Sequence, residues 1–297
     1  MTMVITLTLN PAFDVYYTLE RLLPGKEQRA EKTGRFIGGK GINTSRALSA
    51  FGVSNRAAVL IGRDGAQEFI GLAEKEGLNL IDVSAEGAVR ENITLRTESG
   101  EETRISTDTA LTDEEALESI FKKIKAAVSD GGILVFSGSL PLGADKSKVT
   151  DFLSGLSNVK IALDSKSITE ADIKKLRPWL IKPNEEEALA FGDTYKTAAA
   201  YLKELGCENV MISLGEKGVF FSGSEEFFIR APKICARSTV GAGDSITAGF
   251  ICAYLLNESE RNCVRFAVAA GSAACEKEGT APPDRDEVYR LLSENTF

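Results

Sequence analysis

The chain has 297 residues, with 43 Asp and Glu against 35 Lys and Arg, a formal net charge of −8 and no histidine. The acidic balance argues against a nucleic-acid partner, which demands a basic surface. The missing histidine excludes Ser-His-Asp and Cys-His catalysis, histidine-ligated metals and histidine bases, leaving proton transfer to carboxylates, lysine or tyrosine.

VITLTL at 4–9 predicts a strand ending at Asn10-Pro11, with Asp14 just beyond it, where ligands meet open α/β sheets. Residues 15–36 read as short mixed strands without a helix. GGKGIN at 38–43 opens a helix, TSRALSAF, that Gly52 closes. RAAVLI (56–61) predicts a buried strand, AQEFIGLAEKEG (66–77) a helix with a glycine stop, and NLIDV (79–83) a short strand. NITLRT and ETRIST predict a hairpin around Glu98-Ser99-Gly100-Glu101. DEEALESIFKKIKAAV, preceded by Thr112, has a helical period and an acidic first turn.

Beyond that point strands and helices alternate: GILVFSGSLP, KVTDFLSGL, VKIALD, ITEADIKKL, WLIKPN, NEEEALAF, TAAAYLKELG, NVMISLG. A hairpin, GVFFSG and EEFFIRAP, precedes a glycine-rich turn and a helical tail. The alternation implies a doubly wound α/β fold, a mainly parallel sheet with helices on both faces. The strand-rich pieces at about 12–36 and 88–108 break the rhythm and predict a small β-sheet lid over the carboxyl edge. With no internal repeat or long linker, residues 1–297 read as a single domain. The lid sheet has edges that could pair between subunits, so a homodimer is a reasonable expectation.

The five cysteines (Cys207, Cys235, Cys252, Cys263, Cys275) contain no C-x-x-C pair and read as free thiols of a reducing compartment. The opening MTMVITLTLNPAFD has no basic n-region. The longest apolar run, ITAGFICAYLL, is too short to span a bilayer. A cytoplasmic protein without membrane contact is expected.

The chain is organised around Thr239-Val240-Gly241-Ala242-Gly243-Asp244-Ser245, which runs straight into that apolar helix. Its glycines let another group approach the backbone, and the free N–H groups of a helix's first turn favour an anion. If a phosphoryl group passes to an alcohol here, the turn stabilises the developing charge and Asp244 takes the hydroxyl proton. An aspartate that merely complements the helix dipole is the alternative. Asn184 and Glu187, three apart after Lys182-Pro183, suit a hydrated Mg²⁺ held through few protein ligands, or a plain capped helix start. Ser213-Leu214-Gly215-Glu216-Lys217-Gly218 reads either as a phosphate cradle or as a hairpin loop. Neither GGKGIN nor GAGDS completes a P-loop or a dinucleotide fingerprint.

Taken together, LNPAFD, GGKGIN, SGSLP, KPNxxE, SLGxxG and TVGAGDS, in order along nearly the whole chain, resemble the PfkB (ribokinase-like) family of carbohydrate kinases. The resemblance implies a doubly wound core with a β-sheet lid, and transfer of the γ-phosphoryl group of ATP to a sugar hydroxyl with Mg²⁺. It further implies Asp244 as base and Gly241, Ala242 and Gly243 as anion hole. Asp14, Gly38, Gly39, Asn43 and Ser137 would bind the sugar. Lys182, Asn184, Ser213, Gly215, Gly218, Thr239 and Ser272 would border ATP, and Glu187 would arrange Mg²⁺ through water. Lys40 and the Arg90-Glu91-Asn92 segment resemble the branch of 1-phosphofructokinases and tagatose-6-phosphate kinases. There, with Lys26 or Arg29, such cations would hold a phosphate already on the substrate. A ketose phosphate, foremost fructose 1-phosphate, is the expected substrate; the alternatives are a tagatose-6-phosphate kinase, a kinase of an unphosphorylated sugar or nucleoside, and a non-catalytic sugar-phosphate sensor. ALDSKS after the 160–164 strand, and the absence of Gly-Pro in TRISTDTALT, depart from the family pattern.

Overall fold

The computed structural model describes residues 2–108 and 113–295. From β1 (Val4–Thr8) the chain passes to β2 (Ala12–Leu19) and β3 (Glu31–Gly38), then returns through α1 (Lys40–Ala50), β4 (Asn55–Asp64), α2 (Ala66–Lys75) and β5 (Leu80–Ala88). β6 (Arg90–Thr97) and β7 (Glu102–Ser106) follow, then α3 (Glu114–Ala127), β8 (Ile133–Ser137), α4 (Lys146–Ser154), β9 (Lys160–Asp164) and α5 (Glu170–Leu176). The alternation continues with β10 (Leu180–Ile181), α6 (Glu185–Ala188), α7 (Tyr195–Glu204) and β11 (Asn209–Ser213). The hairpin β12 (Gly218–Ser222) and β13 (Glu226–Arg230) precedes α8 (Ala242–Leu255), α9 (Glu260–Cys275) and α10 (Arg285–Glu294).

Nine strands form one sheet in the order β13-β12-β11-β10-β9-β8-β1-β4-β5, parallel except for the β11–β12–β13 hairpin edge. Four form a second sheet, β3-β2-β6-β7, the expected small sheet. Strand alternation sorts side chains to the two faces of the large sheet. Ile5, Leu7, Leu134, Phe136, Ile161 and Leu163 pack under α3, α4, α5 and α7. Val4, Ile133, Val135, Ala162 and Leu180 pack under α1, α8, α9 and α10. A third cluster joins Phe13, Val15 and Ile37 of the small sheet to β4 and to Phe69 of α2.

Several elements differ in extent from the sequence reading, β4 among them, which runs from Asn55 to Asp64 where the sequence predicts 56–61. β5 is longer than NLIDV, because it keeps pairing with β4 as far as Asp64 opposite Ala88 and so carries the chain into the small sheet. β10 has only two residues, since Pro183 cannot donate to a ladder. The helix at NEEEALAF is limited to α6, four residues long. α3 is capped by Asp113, whose carboxylate accepts the Ala116 N–H at 2.9 Å; Thr112 lies outside the described residues. Among the described residues no helix is long and apolar enough to cross a membrane.

Candidate active site

The alternation that fills the core also points three polar residues at α8. Thr8, Ser137 and Asp164 end β1, β8 and β9, each on the face opposite Leu7, Phe136 and Leu163. Lys182, one residue beyond β10, continues the same alternation from Leu180. They sit along the carboxyl edge, where open α/β sheets bind ligands.

Above this edge lies the start of α8. Gly241 precedes it with φ 81°, a left-handed conformation that glycine adopts at no steric cost. The first-turn N–H groups of Gly243 and Asp244 have no acceptor within the helix, while the Ala242 N–H makes a long hydrogen bond, 3.4 Å, to the Thr239 carbonyl of the preceding turn. Asp244, only 5% exposed, accepts a hydrogen bond from Asn43 Nδ2 at 2.9 Å. Burial and the neighbouring Asp164 charge push the Asp244 carboxyl up to about 7, against the Asn43 hydrogen bond, Lys40 and Lys182. A carboxylate so poised takes up a proton readily near neutral pH.

Asp164 is buried and ion-paired twice, with Lys40 Nζ at 2.8 Å and Lys182 Nζ at 3.2 Å. Burial alone would raise its carboxyl, but Lys182 and Lys40 outweigh that and hold it below the ordinary range. Both lysines also act on Asp244, so two ammonium groups and two carboxylates face one another beside the glycine turn. A methyl group on Gly243 would stand 3.3 Å from Lys182 Nζ. A phosphoryl group over the turn would therefore meet both helix N–H groups and an ammonium.

Where the small sheet joins the large one, a second polar cluster forms. Asn92 Nδ2 donates to Asp14 Oδ1 at 2.8 Å, and both residues are buried. Arg90 donates to Asn92 Oδ1 at 2.9 Å and to the Asn10 carbonyl at 3.2 Å, and Arg104 stands 3.6 Å from Asp14 Oδ1. Gly38 lies directly against Asp14: a Cβ there would fall 2.3 Å from Oδ2. Gly39, the residue before α1, connects this cluster to Lys40 and Asn43 on the first turn of that helix. The structure thus gathers Asp14, Gly38, Gly39, Lys40, Asn43, Arg90, Asn92 and Asp244 around α1.

Ser137 and Lys26 do not join them. Ser137 ends β8 on the same edge but is fully buried, with no hydrogen-bond partner for its hydroxyl among the described residues. Two residues on, the half-exposed Ser139 accepts from Asn10 Nδ2 at 3.0 Å, beside the carbonyl that holds Arg90. Lys26 is exposed in the loop that closes the β2–β3 hairpin beyond the Thr18–Glu31 pair, whereas the Ala12–Gly38 pair marks the active-site end. The six residue steps along β2 from Ala12 to Thr18 put it about 20 Å away along the strand, and Arg29 shares that loop.

On the other flank, Asn184 and Glu187 form a reciprocal capping box. Glu187 N–H donates to Asn184 Oδ1 at 2.8 Å, and Asn184 N–H to Glu187 Oε2 at 3.0 Å. Ser213 bridges to Asn184, and Gly215 opens a single 3-10 turn with no atom above its α-carbon. Gly218 has a structural role: a Cβ would collide with the Ile229 carbonyl at 2.0 Å. Thr239 is exposed just before the α8 turn, and Ser272 lies on α9 next to Gly271, which packs against Ile246 of α8.

Residues 2–287 match the family described as pfkB family carbohydrate kinase. The chain belongs to the pfkB family. It is an ATP-dependent carbohydrate kinase. Similar proteins include a 1-phosphofructokinase of Vibrio cholerae, 29% identical over 97% of this chain and 94% of its own. The ATP-dependent 6-phosphofructokinase isozyme 2 of Escherichia coli is 30% identical over 99% of this chain and 100% of its own. The crystal structure of Escherichia coli phosphofructokinase-2 in complex with potassium superposes with a TM-score of 0.91, at 29% identity and 99% coverage of both chains.

Among the described residues of this pfkB kinase no three His, Cys, Asp or Glu side chains gather to hold a metal. Magnesium keeps most of its waters and takes one or two carboxylates plus substrate phosphates, so a sparse oxygen set fits it. Glu187 suits that task, since its charge reaches across to Lys40 while one carboxylate oxygen is fixed by the capping box. Sequence reasoning missed Asp164, Ser139 and Arg104. For Asp164 the signal was present: a carboxylate one residue past Leu163 in VKIALD must leave the apolar face of its strand.

Proposed function

We propose that this kinase transfers the γ-phosphoryl group of ATP to the 6-hydroxyl of fructose 1-phosphate. Residues 1–297 then act as one kinase unit, with 12–36 and 88–108 as its lid. The observation that carries the reading is the placement of Asp244 and Arg90 at opposite ends of one polar tract. Asp244 is tied to Asn43 on α1, and Arg90 is tied to Asn92 and Asn10 at the root of the small sheet. A sugar lying along α1 offers a hydroxyl to the carboxylate and a phosphate to the guanidinium.

Asp244 accepts the hydroxyl proton as the sugar oxygen bonds to the γ-phosphorus and the β–γ bridging P–O bond breaks. ADP leaves with the bridging oxygen. The N–H groups of Ala242 and Gly243, with Lys182 and Lys40, stabilise charge on the transferring group. Asp14, Asn92 and Asn43 orient the sugar through their hydrogen-bonding groups. Asn184, Ser213, Gly215, Thr239 and Ser272 border the nucleotide. Mg²⁺ near Glu187 supplies charge neutralisation for the polyphosphate.

A 6-phosphate acceptor is the second reading, supported by the similarity to the Escherichia coli 6-phosphofructokinase. The edges of β3 and β7, unpaired among the described residues, are the surface through which a homodimer would form. ADP release, coupled to a reporter, tests the substrate across fructose 1-phosphate, tagatose 6-phosphate, fructose 6-phosphate, fructose and ribose. The highest kcat/KM is expected for fructose 1-phosphate. Equal efficiency with fructose would remove the phosphate from the recognised chemistry.

A further inference from the structure

Asn43 has two chemically different ends, an N–H₂ donor and a carbonyl acceptor, and only the donor end suits a carboxylate. Arg46 lies three residues further along α1, so the two side chains share a helix face. Arg46 Nη1 donates to Asn43 Oδ1 at 2.8 Å, and the Asn43 amide nitrogen points at Asp244. A guanidinium has only donors, so it accepts no other orientation of this amide.

Arg46 is itself immobilised. Glu76, at the end of α2, accepts from Nε at 2.6 Å and from Nη2 at 3.0 Å, and the Ile37 carbonyl of β3 accepts from Nη2 at 2.7 Å. The Arg46 side chain is only 9% exposed. One guanidinium therefore ties α2, β3 and α1 together, two hydrogen bonds away from the catalytic carboxylate.

We propose that Arg46, held by Glu76, is a positioning residue that locks the Asn43 amide with its donor end toward Asp244. The proposal rests on the reading of Asp244 as the base. Without the lock, the amide rotates and Asp244 loses a donor that favours its ionised form. The other charges facing Asp244 are unchanged: Asp164 of β9 opposes ionisation, while Lys40 of α1 and Lys182 after β10 favour it. Loss of the lock thus makes the carboxyl harder to ionise. The visible effect is on pH dependence, which a purely structural role for Arg46 would leave in place.

The test measures kcat from pH 5.5 to 9 for the full chain with ATP, Mg²⁺ and saturating sugar phosphate, in Arg46→Met, Arg46→Lys, Glu76→Gln and Asp244→Asn. Arg35→Met is the matched control, because it breaks a comparable ion pair with Glu68 and Glu91 that does not touch Asn43. Arg46→Met is expected to move the acid limb of the profile upward by about one pH unit, the scale of one charge-assisted hydrogen bond. Turnover then falls about tenfold below the limb and recovers toward wild type above it. Glu76→Gln shifts the limb less, Arg46→Lys partly restores it, and Arg35→Met leaves it in place. A uniform loss at every pH, or an unmoved limb in Arg46→Met, overturns the proposal. If Arg46→Met does not fold, an unmoved limb in Glu76→Gln serves the same end. Full turnover in Asp244→Asn would remove the base and the proposal together. An inactive Asp244→Asn with an unshifted Arg46→Met would remove Arg46 alone.

Discussion

Asn43 Nδ2 lies 2.9 Å from Asp244 Oδ2, joining two residues that stand 201 positions apart in the chain. That bond brings the start of α1 to the start of α8 and sets a neutral donor against a buried carboxylate. If Asp244 is the base, Asp244→Asn keeps the shape and removes the proton acceptor. Turnover should fall by at least about 10²–10⁴-fold, with ATP affinity, measured by calorimetry, within a factor of about three. Near-normal turnover would end the assignment.

The position of the Asp244 carboxyl also predicts pH behaviour. It must be ionised to act, so kcat/KM should rise with pH through a limb near 7. The linkage for stability runs the other way. The folded value lies above the ordinary 3.8, so the folded state binds more protons between the two and loses stability as pH rises through that window. Asp244→Asn should therefore gain on wild type in urea titrations at pH 8 relative to pH 4.

Asp164 sits among two lysines with almost no solvent contact. Asp164→Asn leaves Lys182, itself 4% exposed, without its counter-charge. Removing one partner of a buried pair costs about 3–5 kcal/mol, so denaturant midpoints should fall well below wild type. Lys40→Met should cost less, because that side chain is 41% exposed and Lys182 still holds Asp164.

Arg90 gives a cleaner kinetic signature. Arg90→Ala should raise KM for a phosphorylated sugar at least about tenfold, the loss of one charge-assisted contact, and barely change KM for ATP. Matching increases in both constants would take Arg90 out of the sugar site.

How much of this was legible in the sequence depended on whether the signal was local. The alternation of VITLT and of ILVFS placed β1 and β8, and the glycine stop at Gly77, with φ 70°, ended α2 as read. The small sheet followed from two strand-rich interruptions, and its residues Asp14, Arg90 and Asn92 do meet. Roles set by tertiary contact were harder to see. In SGSLP the choice between Ser137 and Ser139 turns on Gly138, whose φ of 91° ends the strand and turns the chain outward. Asn184 and Glu187 read equally as a cap and as a metal site, and the capping box is there. Arg46 sits in an ordinary amphipathic helix, and its partner Glu76 lies 30 residues away, beyond any spacing rule.

Asp14, Gly38 and Arg90 all belong to the short stretches by which the small sheet is rooted in the large one, whereas the loop at 20–30 forms its far rim. A stiff flap swings least at its attachment and most at its free margin. If the small sheet closes as the proposed lid, whatever grips these three residues acts close to its pivot, and the loop at 20–30 travels furthest.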